Sequence, residues 1–143
     1  MSVFQLRSVD SDPEYQACFN VMRELRPHLS DAAAFTAQAR RQATQGYRLL
    51  AAWQDDEVKG LAGYRIQENL IYGRFLYVDD LVAAPEARRH GLGGELIDTL
   101  REQAKQQGCA HFVLDTALAN ALGQRFYFRQ GLLARGIHFC QPL

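Results

Sequence analysis

The sequence predicts a mixed α/β fold, in which helices pack on a sheet that contains both parallel and antiparallel strands. Two observations support this class. Apolar runs of strand length alternate with amphipathic segments of helical length along the 143 residues. The acidic turn at residues 55–57 separates two such runs directly, which is typical of antiparallel neighbours.

The first third of the chain predicts one strand and two helices. Apolar residues alternate at 3–9, as in a short strand. A capping serine and a proline at residues 11–13 start a helix that ends before Pro27. Residues 30–31 cap a second, alanine-rich helix that closes at Gly46.

The middle of the chain predicts three consecutive strands and a helix. The strands are expected at 47–54, 58–66 and about 72–83, because these runs are rich in apolar, β-branched and aromatic residues. The helix is expected at 91–107, where leucines recur at helical spacing before Gly108.

The last third predicts a strand, a helix and a final strand pair. Residues 109–116 are nearly all apolar, which favours a central strand buried on both faces. A helix is expected at 119–130, followed by strands through Ile137, Phe139 and Leu143. The predicted order is therefore β-α-α-β-β-β-α-β-α-β.

Composition favours one globular domain at residues 1–143. Hydrophobic residues make up 48% and charged residues 22% of the chain, as in soluble proteins. Sixteen basic and sixteen acidic residues give a formal charge of zero. This balance argues against a general nucleic-acid binder or a protein that binds anionic membranes.

The thiols and histidines indicate neither disulfides nor a metal. Cys18, Cys109 and Cys140 are an odd, scattered set, which suits a reducing cytoplasm. The four histidines are far apart, so no metal site is expected. No apolar run approaches membrane-spanning length and the first residues lack a signal core, so we expect a cytoplasmic protein.

A glycine-rich turn follows the strand that Pro85 ends. Glycines let the backbone approach a ligand closely, and the helix that follows presents free N–H groups with its positive dipole end. Cationic side chains precede the glycines, so the preferred ligand is a di- or polyphosphate. The residues of this turn are Arg88, Arg89, His90, Gly91, Leu92, Gly93 and Gly94.

The order Arg88-x-x-Gly91-x-Gly93 resembles the coenzyme A pyrophosphate loop of the GNAT superfamily of N-acyltransferases. Asn120, followed by Phe126-Tyr127 and a Gly-Leu pair, resembles the second signature of that family. The order of elements is also that of the family. The resemblance implies the GNAT fold, with the fourth and fifth strands splayed apart because the fourth carries a bulge, and acetyl-CoA as co-substrate.

The resemblance also implies where the coenzyme binds. The bulge is expected to leave main-chain N–H and C=O groups unpaired at Leu81, Val82 and Ala83, where they hold the pantetheine arm and the thioester carbonyl. Residues 88–94 are expected to hold the pyrophosphate, with further coenzyme contacts at Asn120 and Tyr127.

Direct attack of an amine on a thioester needs a base and an acid. Tyr127 matches the general acid of the family; the alternative is a core tyrosine. Many relatives carry a glutamate where Tyr77 stands, so Asp79, acting through a water, is the first candidate for the base and Asp80 the second. Either carboxylate is alternatively structural, and strand alternation puts them on opposite faces unless the bulge changes the phase.

Three further features concern the acceptor substrate. The connection at residues 26–29 either overhangs the acceptor site or is a solvated loop. Arg65 and Arg74 either flank the acceptor cleft and favour an acidic substrate, or are solvated. The acceptor itself, the acyl chain and the choice between monomer and homodimer are left open.

The predicted function is transfer of an acetyl group from acetyl-CoA to a primary amine of a small molecule or protein, by direct attack in a ternary complex. The alternative is a non-catalytic module that senses acyl-CoA, which the missing glutamate at Tyr77 suggests.

Overall fold

The structure, a computed structural model, describes residues 2–143. The chain divides into two compact units, one that ends at Val113 and one that comprises Leu114–Leu143. The elements in chain order are β1 (Gln5–Ser8), α1 (Asp12–Leu25), α2 (Ala32–Ala43), β2 (Arg48–Gln54), β3 (Glu57–Asn69), β4 (Gly73–Ala83), a 3-10 helix (Pro85–His90), α3 (Leu92–Gln106), β5 (His111–Leu114) and α4 (Ala121–Arg129).

One five-stranded mixed sheet runs in the order β1-β2-β3-β4-β5. The three pairings from β1 to β4 are antiparallel, and α3 lies between β4 and β5 in the chain. This architecture confirms the predicted class and the predicted order as far as α4. No helix among residues 2–143 combines the length and the apolar character that crossing a membrane requires.

The end of the chain differs from the prediction. Residues 132–143, all of them described, form no strand, and Ile137 and Phe139 are 64% and 90% exposed. Their side chains therefore bury little of the apolar surface that stabilises a strand. Without these strands, β5 is a short, half-buried edge strand, so the prediction of a central strand over 109–116 was wrong.

Capping fixes where the first two helices begin and end. Ser11 and Glu14 form a capping box at the start of α1, and Pro27 follows its end, so that Arg26 becomes the C-cap residue. The Asp31 side chain accepts a hydrogen bond from the Ala34 N–H at 2.7 Å and starts α2. These stops place the connection between the helices at residues 26–31.

The helices cover both faces of the sheet. A Cβ atom at Gly60 of β3 would meet Leu92 and Leu96 of α3, whereas one at Gly63 would meet Tyr47 and Asp80. Because side chains three residues apart on a strand point to opposite faces, α3 lies on the face opposite Tyr47. The core on the Tyr47 face joins α1 and α2 to the sheet through buried residues that include Cys18, Phe19, Met22, Phe35, Ala39 and Leu61.

A β-bulge interrupts β4 at Asp79. Gly63 of β3 faces Asp80 and Tyr64 faces Val78, so Asp79 is an extra residue without an opposite partner. The bulge confirms a change of phase in the fourth strand. It lies before Leu81, however, and residues 81–83 pair in register with β3.

Candidate active site

A cleft of about 420 Å³ opens on the Tyr47 face of the sheet, next to the β4 bulge. Residues from the end of α1, the connection after it, α2 and β3 line this acceptor cleft together with β4. The connection at residues 26–29 therefore contributes to the cleft and is not merely a solvated loop. The charged and hydroxyl-bearing lining residues are Arg26, His28, Tyr47, Arg65, Tyr77, Asp79 and Asp80.

The bulge brings both aspartates to the same cleft. In a regular strand, neighbouring residues point to opposite faces, and strand alternation alone would have separated Asp79 from Asp80. The extra residue changes the phase, so both carboxylates line the acceptor cleft. Tyr77, two residues before Asp79, lines it as well.

Asp80 has partners at both carboxylate oxygens. Its Oδ1 accepts a hydrogen bond from Arg26 Nε at 3.0 Å and lies 2.9 Å from Arg26 Nη2. Its Oδ2 accepts a hydrogen bond from the Tyr47 hydroxyl at 2.8 Å. With its side chain only 11% exposed, Asp80 is a largely shielded, paired carboxylate that ties the end of α1 to the sheet.

Asp79 has one free oxygen. Its Oδ2 accepts a hydrogen bond from Arg65 Nε at 2.9 Å, whereas its Oδ1 is buried without a hydrogen-bond partner among the described residues. Burial raises the pKa of this carboxyl above its ordinary value, and the neighbouring Asp80 adds to the rise, while Arg65 and Arg26 oppose it. Asp79 therefore combines a buried, unpaired oxygen with raised basicity.

Two neighbouring elements hold the arginines in place. Arg26 is the C-cap of α1, and its Nη2 also donates to the Asp79 carbonyl at 2.9 Å. Arg65 extends from β3, and its guanidinium lies over the Tyr47 ring at 5.6 Å from the centroid. Each arginine therefore reaches the bulge from a different element and fixes one carboxylate.

Tyr47 serves as a permanent donor. Burial, together with the negative charge of Asp80, raises the pKa of its hydroxyl well above the ordinary value. The hydroxyl keeps its proton and donates to Asp80. Gly63 opposite leaves the space for this contact, since a Cβ atom there would lie 2.7 Å from Asp80 Oδ2.

The glycine-rich turn is built mainly from backbone. Residues Pro85–His90 form one short 3-10 helix, and Gly91 adopts the left-handed conformation at φ +72°, which glycine tolerates without strain. No side chain caps the start of α3 at Gly91, which leaves the first-turn N–H groups of Leu92, Gly93 and Gly94 uncapped. This coenzyme loop, residues 85–94, thus has the donors that an anionic phosphate requires.

The two arginines of the coenzyme loop differ. Arg88 Nε donates to the Ala83 carbonyl at 3.1 Å, and its Nη2 lies 3.9 Å from Glu24. Arg89 and His90 are exposed. Arg88 therefore also holds the end of β4 through a hydrogen bond, whereas the Arg89 guanidinium and the His90 ring are exposed to solvent.

The second unit contains the two remaining predicted residues. Asn120 is the N-cap of α4: its Oδ1 accepts from the Gly123 N–H at 3.0 Å, and its Nδ2 donates to Thr116 Oγ1 at 3.1 Å. Tyr127, on α4, packs edge-on against Phe126, and burial raises the pKa of its hydroxyl. Asn120 therefore has a visible capping role, and Tyr127 keeps its proton near neutral pH.

Sequence reasoning missed part of the cleft. Nothing in the sequence singles out Tyr47, since a tyrosine at the start of a strand normally belongs to the core. Of the two arginines considered for the acceptor cleft, Arg65 lines the cleft. Arg74 does not line it, and its Nε donates to the Gln107 carbonyl at 2.7 Å. No group of three or more His, Cys, Asp or Glu placed to hold a metal ion occurs among residues 2–143.

Comparison with known proteins decides the family. Residues 12–132 match the acetyltransferase (GNAT) family. The chain belongs to the GNAT family. The matched range includes the glycine-rich turn and every residue that lines the cleft.

Two curated relatives are N-acetyltransferases. The chain is 38% identical over 55 residues to an aminoglycoside N(6')-acetyltransferase type 1 of Serratia marcescens, a match that covers 38% of each chain. It is 29% identical over 98 residues to an aminoalkylphosphonate N-acetyltransferase of Salmonella typhimurium, covering 68% of this chain and 62% of that protein. The matches thus span less than two thirds of either relative.

The fold is that of solved GNAT structures. The aminoglycoside N-acetyltransferase AAC(6')-Iy, in complex with the bisubstrate analogue CoA-S-monomethyl-acetylneamine, superposes with a TM-score of 0.82 at 17% identity, covering 99% of this chain and 100% of that one. At this level of identity the likeness demonstrates the GNAT fold.

Proposed function

We propose that this GNAT protein transfers the acetyl group of acetyl-CoA to a primary amine of a small molecule, by direct attack in a ternary complex. The observation that carries the proposal concerns Asp79, which lines the acceptor cleft and whose Oδ1 is buried without a hydrogen-bond partner among the described residues. Both curated relatives are named for N-acetylation of small amines, which supports a small-molecule acceptor.

Asp79 is the proposed general base. It accepts, through a water, a proton from the acceptor ammonium, so that the neutral nitrogen attacks the thioester carbon. Its raised pKa brings the carboxylate closer to the basicity that this transfer needs. Asp80 is not the base in this scheme, because Arg26 and Tyr47 already occupy both of its oxygens.

The coenzyme loop is the proposed pyrophosphate site. The first-turn N–H groups of α3 donate to phosphate oxygens, and Arg88, Arg89 and His90 add cationic or donor side chains. Main-chain groups of residues 81–83 hold the pantetheine arm and polarise the thioester carbonyl, an effect typically worth about 3–4 kcal/mol per donor. The splay between β4 and β5 is part of this proposal.

Tyr127 is the proposed general acid. As the new C–N bond forms and the C–S bond breaks, its hydroxyl gives a proton to the departing thiolate sulfur. The raised pKa keeps that proton available. The nitrogen loses its second proton as the amide forms, and this proton, carried by solvent, restores the Tyr127 hydroxyl. Tyr127→Phe is expected to lower kcat by about tenfold to a hundredfold in a steady-state assay of free thiol, a larger effect than its effect on coenzyme A affinity. Unchanged kcat would remove Tyr127 from the acid role.

The decisive experiment combines binding with turnover. Calorimetry with acetyl-CoA is expected to show micromolar binding, and release of free coenzyme A is expected only when a primary amine is added. Binding without consumption across an amine panel would instead support the acyl-CoA sensor. No binding by the folded protein would overturn both functions. The three free cysteines fit a cytoplasmic setting for this reaction.

A further inference from the structure

We infer that the acceptor cleft selects a small amine with one positive charge that also carries an acidic group, and disfavours polyamines. This inference rests on the proposed acetyl transfer and narrows its acceptor. It follows from how the cleft distributes its hydrogen-bonding capacity between two carboxylates and two guanidinium groups.

The two carboxylates that line the cleft leave one oxygen without a hydrogen-bond donor. Of the four oxygens on Asp79 and Asp80, three already accept from Arg26, Tyr47 and Arg65. The fourth, Asp79 Oδ1, is buried without a partner among the described residues. A single ammonium group or water that reaches Asp79 Oδ1 would find the one unpaired acceptor of the pair, whereas a second ammonium of the same ligand would compete for oxygens that Arg26, Tyr47 and Arg65 already hold.

The arginines, in contrast, have donors to spare. The hydrogen bond from Arg65 to Asp79 uses Nε, and the contacts of Arg26 use Nε and Nη2. A guanidinium has five N–H donors, so both terminal nitrogens of Arg65 and Nη1 of Arg26 lie outside these bonds. Both side chains line the cleft, and a carboxylate or phosphonate is the group that such donors bind best.

The formal charge of the cleft favours the same class of ligand, an amine that also carries an acidic group. Two arginines and two aspartates give the cleft a formal charge of zero, to which His28 at the mouth adds positive charge when protonated. A polycation gains no net attraction from such a site and would have to displace an arginine from its carboxylate. A ligand with one ammonium and one acidic group matches both the free oxygen and the free donors.

The test uses four short amines that differ at the far end: β-alanine, 2-aminoethylphosphonate, n-propylamine and 1,3-diaminopropane. We expect kcat/KM for one or both acidic amines to exceed that for propylamine by about tenfold, the worth of one charge-assisted hydrogen bond, and diaminopropane to be the poorest. The two acidic amines distinguish a carboxylate-binding from a phosphonate-binding cleft.

Arg65→Gln supplies the matched variant. It is expected to reduce the preference for the acidic amine over diaminopropane by about tenfold, since it removes donors and leaves the cleft negative. This ratio is taken within one variant, so a general loss of activity does not affect it. Arg74→Gln is the control. Arg74 lies outside the cleft and donates to the Gln107 carbonyl, so this variant is expected to keep the wild-type ratio.

Calorimetry of the same four compounds with protein saturated with coenzyme A separates the two proposals. Transfer in which diaminopropane is as good as the acidic amines would overturn the acceptor inference alone. Preferential binding of an acidic amine without transfer would support the inference and overturn the proposed reaction. Neither transfer nor preferential binding would overturn both.

Discussion

The acceptor cleft and the coenzyme loop are built in opposite ways. In the cleft, side chains from four segments of the chain satisfy one another, and one buried carboxylate oxygen is left unpaired. In the coenzyme loop, the exposed Arg89 and His90 lie beside the uncapped backbone of α3. The cleft is therefore sensitive to the loss of any single partner, whereas the loop depends on backbone geometry and tolerates changes in its side chains.

The sharpest test of this contrast is Asp79→Asn. If the free oxygen of Asp79 is the base, kcat/KM for the amine falls by about a hundredfold to a thousandfold, while coenzyme A affinity is kept. Steady-state kinetics and calorimetry check both quantities. Asp98→Asn, an exposed carboxylate on α3, is the matched control. A loss of less than about threefold would show that Asp79 is structural.

The role of Asp79 as general base also predicts how kcat/KM depends on pH. A base works in its ionised form, so wild-type kcat/KM falls as the pH drops through the pKa of Asp79, which lies above the ordinary aspartate value. The charged and titratable groups that line the cleft with Asp79 are Arg26, His28, Tyr47, Arg65, Tyr77 and Asp80. The acid limb should disappear in Asp79→Asn and persist in His28→Gln; the reverse pattern would assign it to His28.

Tyr47→Phe tests whether the cleft depends on complete pairing. The change leaves Asp80 Oδ2 buried without its donor, so we expect a loss of about 1–3 kcal/mol in the free energy of unfolding. Denaturant titration measures this loss. Tyr72→Phe is the control, because its ring contacts with Phe75 and His111 survive the change. Equal stability of the two variants would contradict the pairing argument.

Gly93→Val tests the dependence of the coenzyme loop on backbone. A branched side chain in the first turn of α3 keeps a ligand away from the N–H groups, so the Kd for coenzyme A is expected to rise by about tenfold or more. Gly136→Val, at a position where an added Cβ atom meets nothing within 4 Å, is the control. Calorimetry with unchanged affinity for the Gly93 variant would move the pyrophosphate site elsewhere.

The smallest expected effects concern the loop arginines. Arg89→Ala should raise the Kd for coenzyme A by about threefold, more at low than at high salt, without a change in stability, because the side chain is exposed. Arg88→Ala should cost more, since it also releases the Ala83 carbonyl. An Arg89 effect larger than that of Arg88 would reverse the roles assigned to them.

Local sequence determined most of the secondary structure and the coenzyme loop. The caps at Ser11 and Asp31, the stop at Pro27 and the glycines after Pro85 act within a few residues of their own position, so their effect is visible in the sequence. The family resemblance depended on the same short-range patterns, and the match over residues 12–132 confirmed it.

Tertiary structure decided the acceptor cleft and the end of the chain. The bulge at Asp79 depends on the register with β3, and only this register turns Asp79 and Asp80 to one face. Arg26 and Tyr47 reach Asp80 across 54 and 33 residues of sequence, a distance at which no local pattern reports a contact. Likewise, the apolar residues near Phe139 form no strand. A strand needs a paired neighbour, and the sequence alone does not show whether these residues have one.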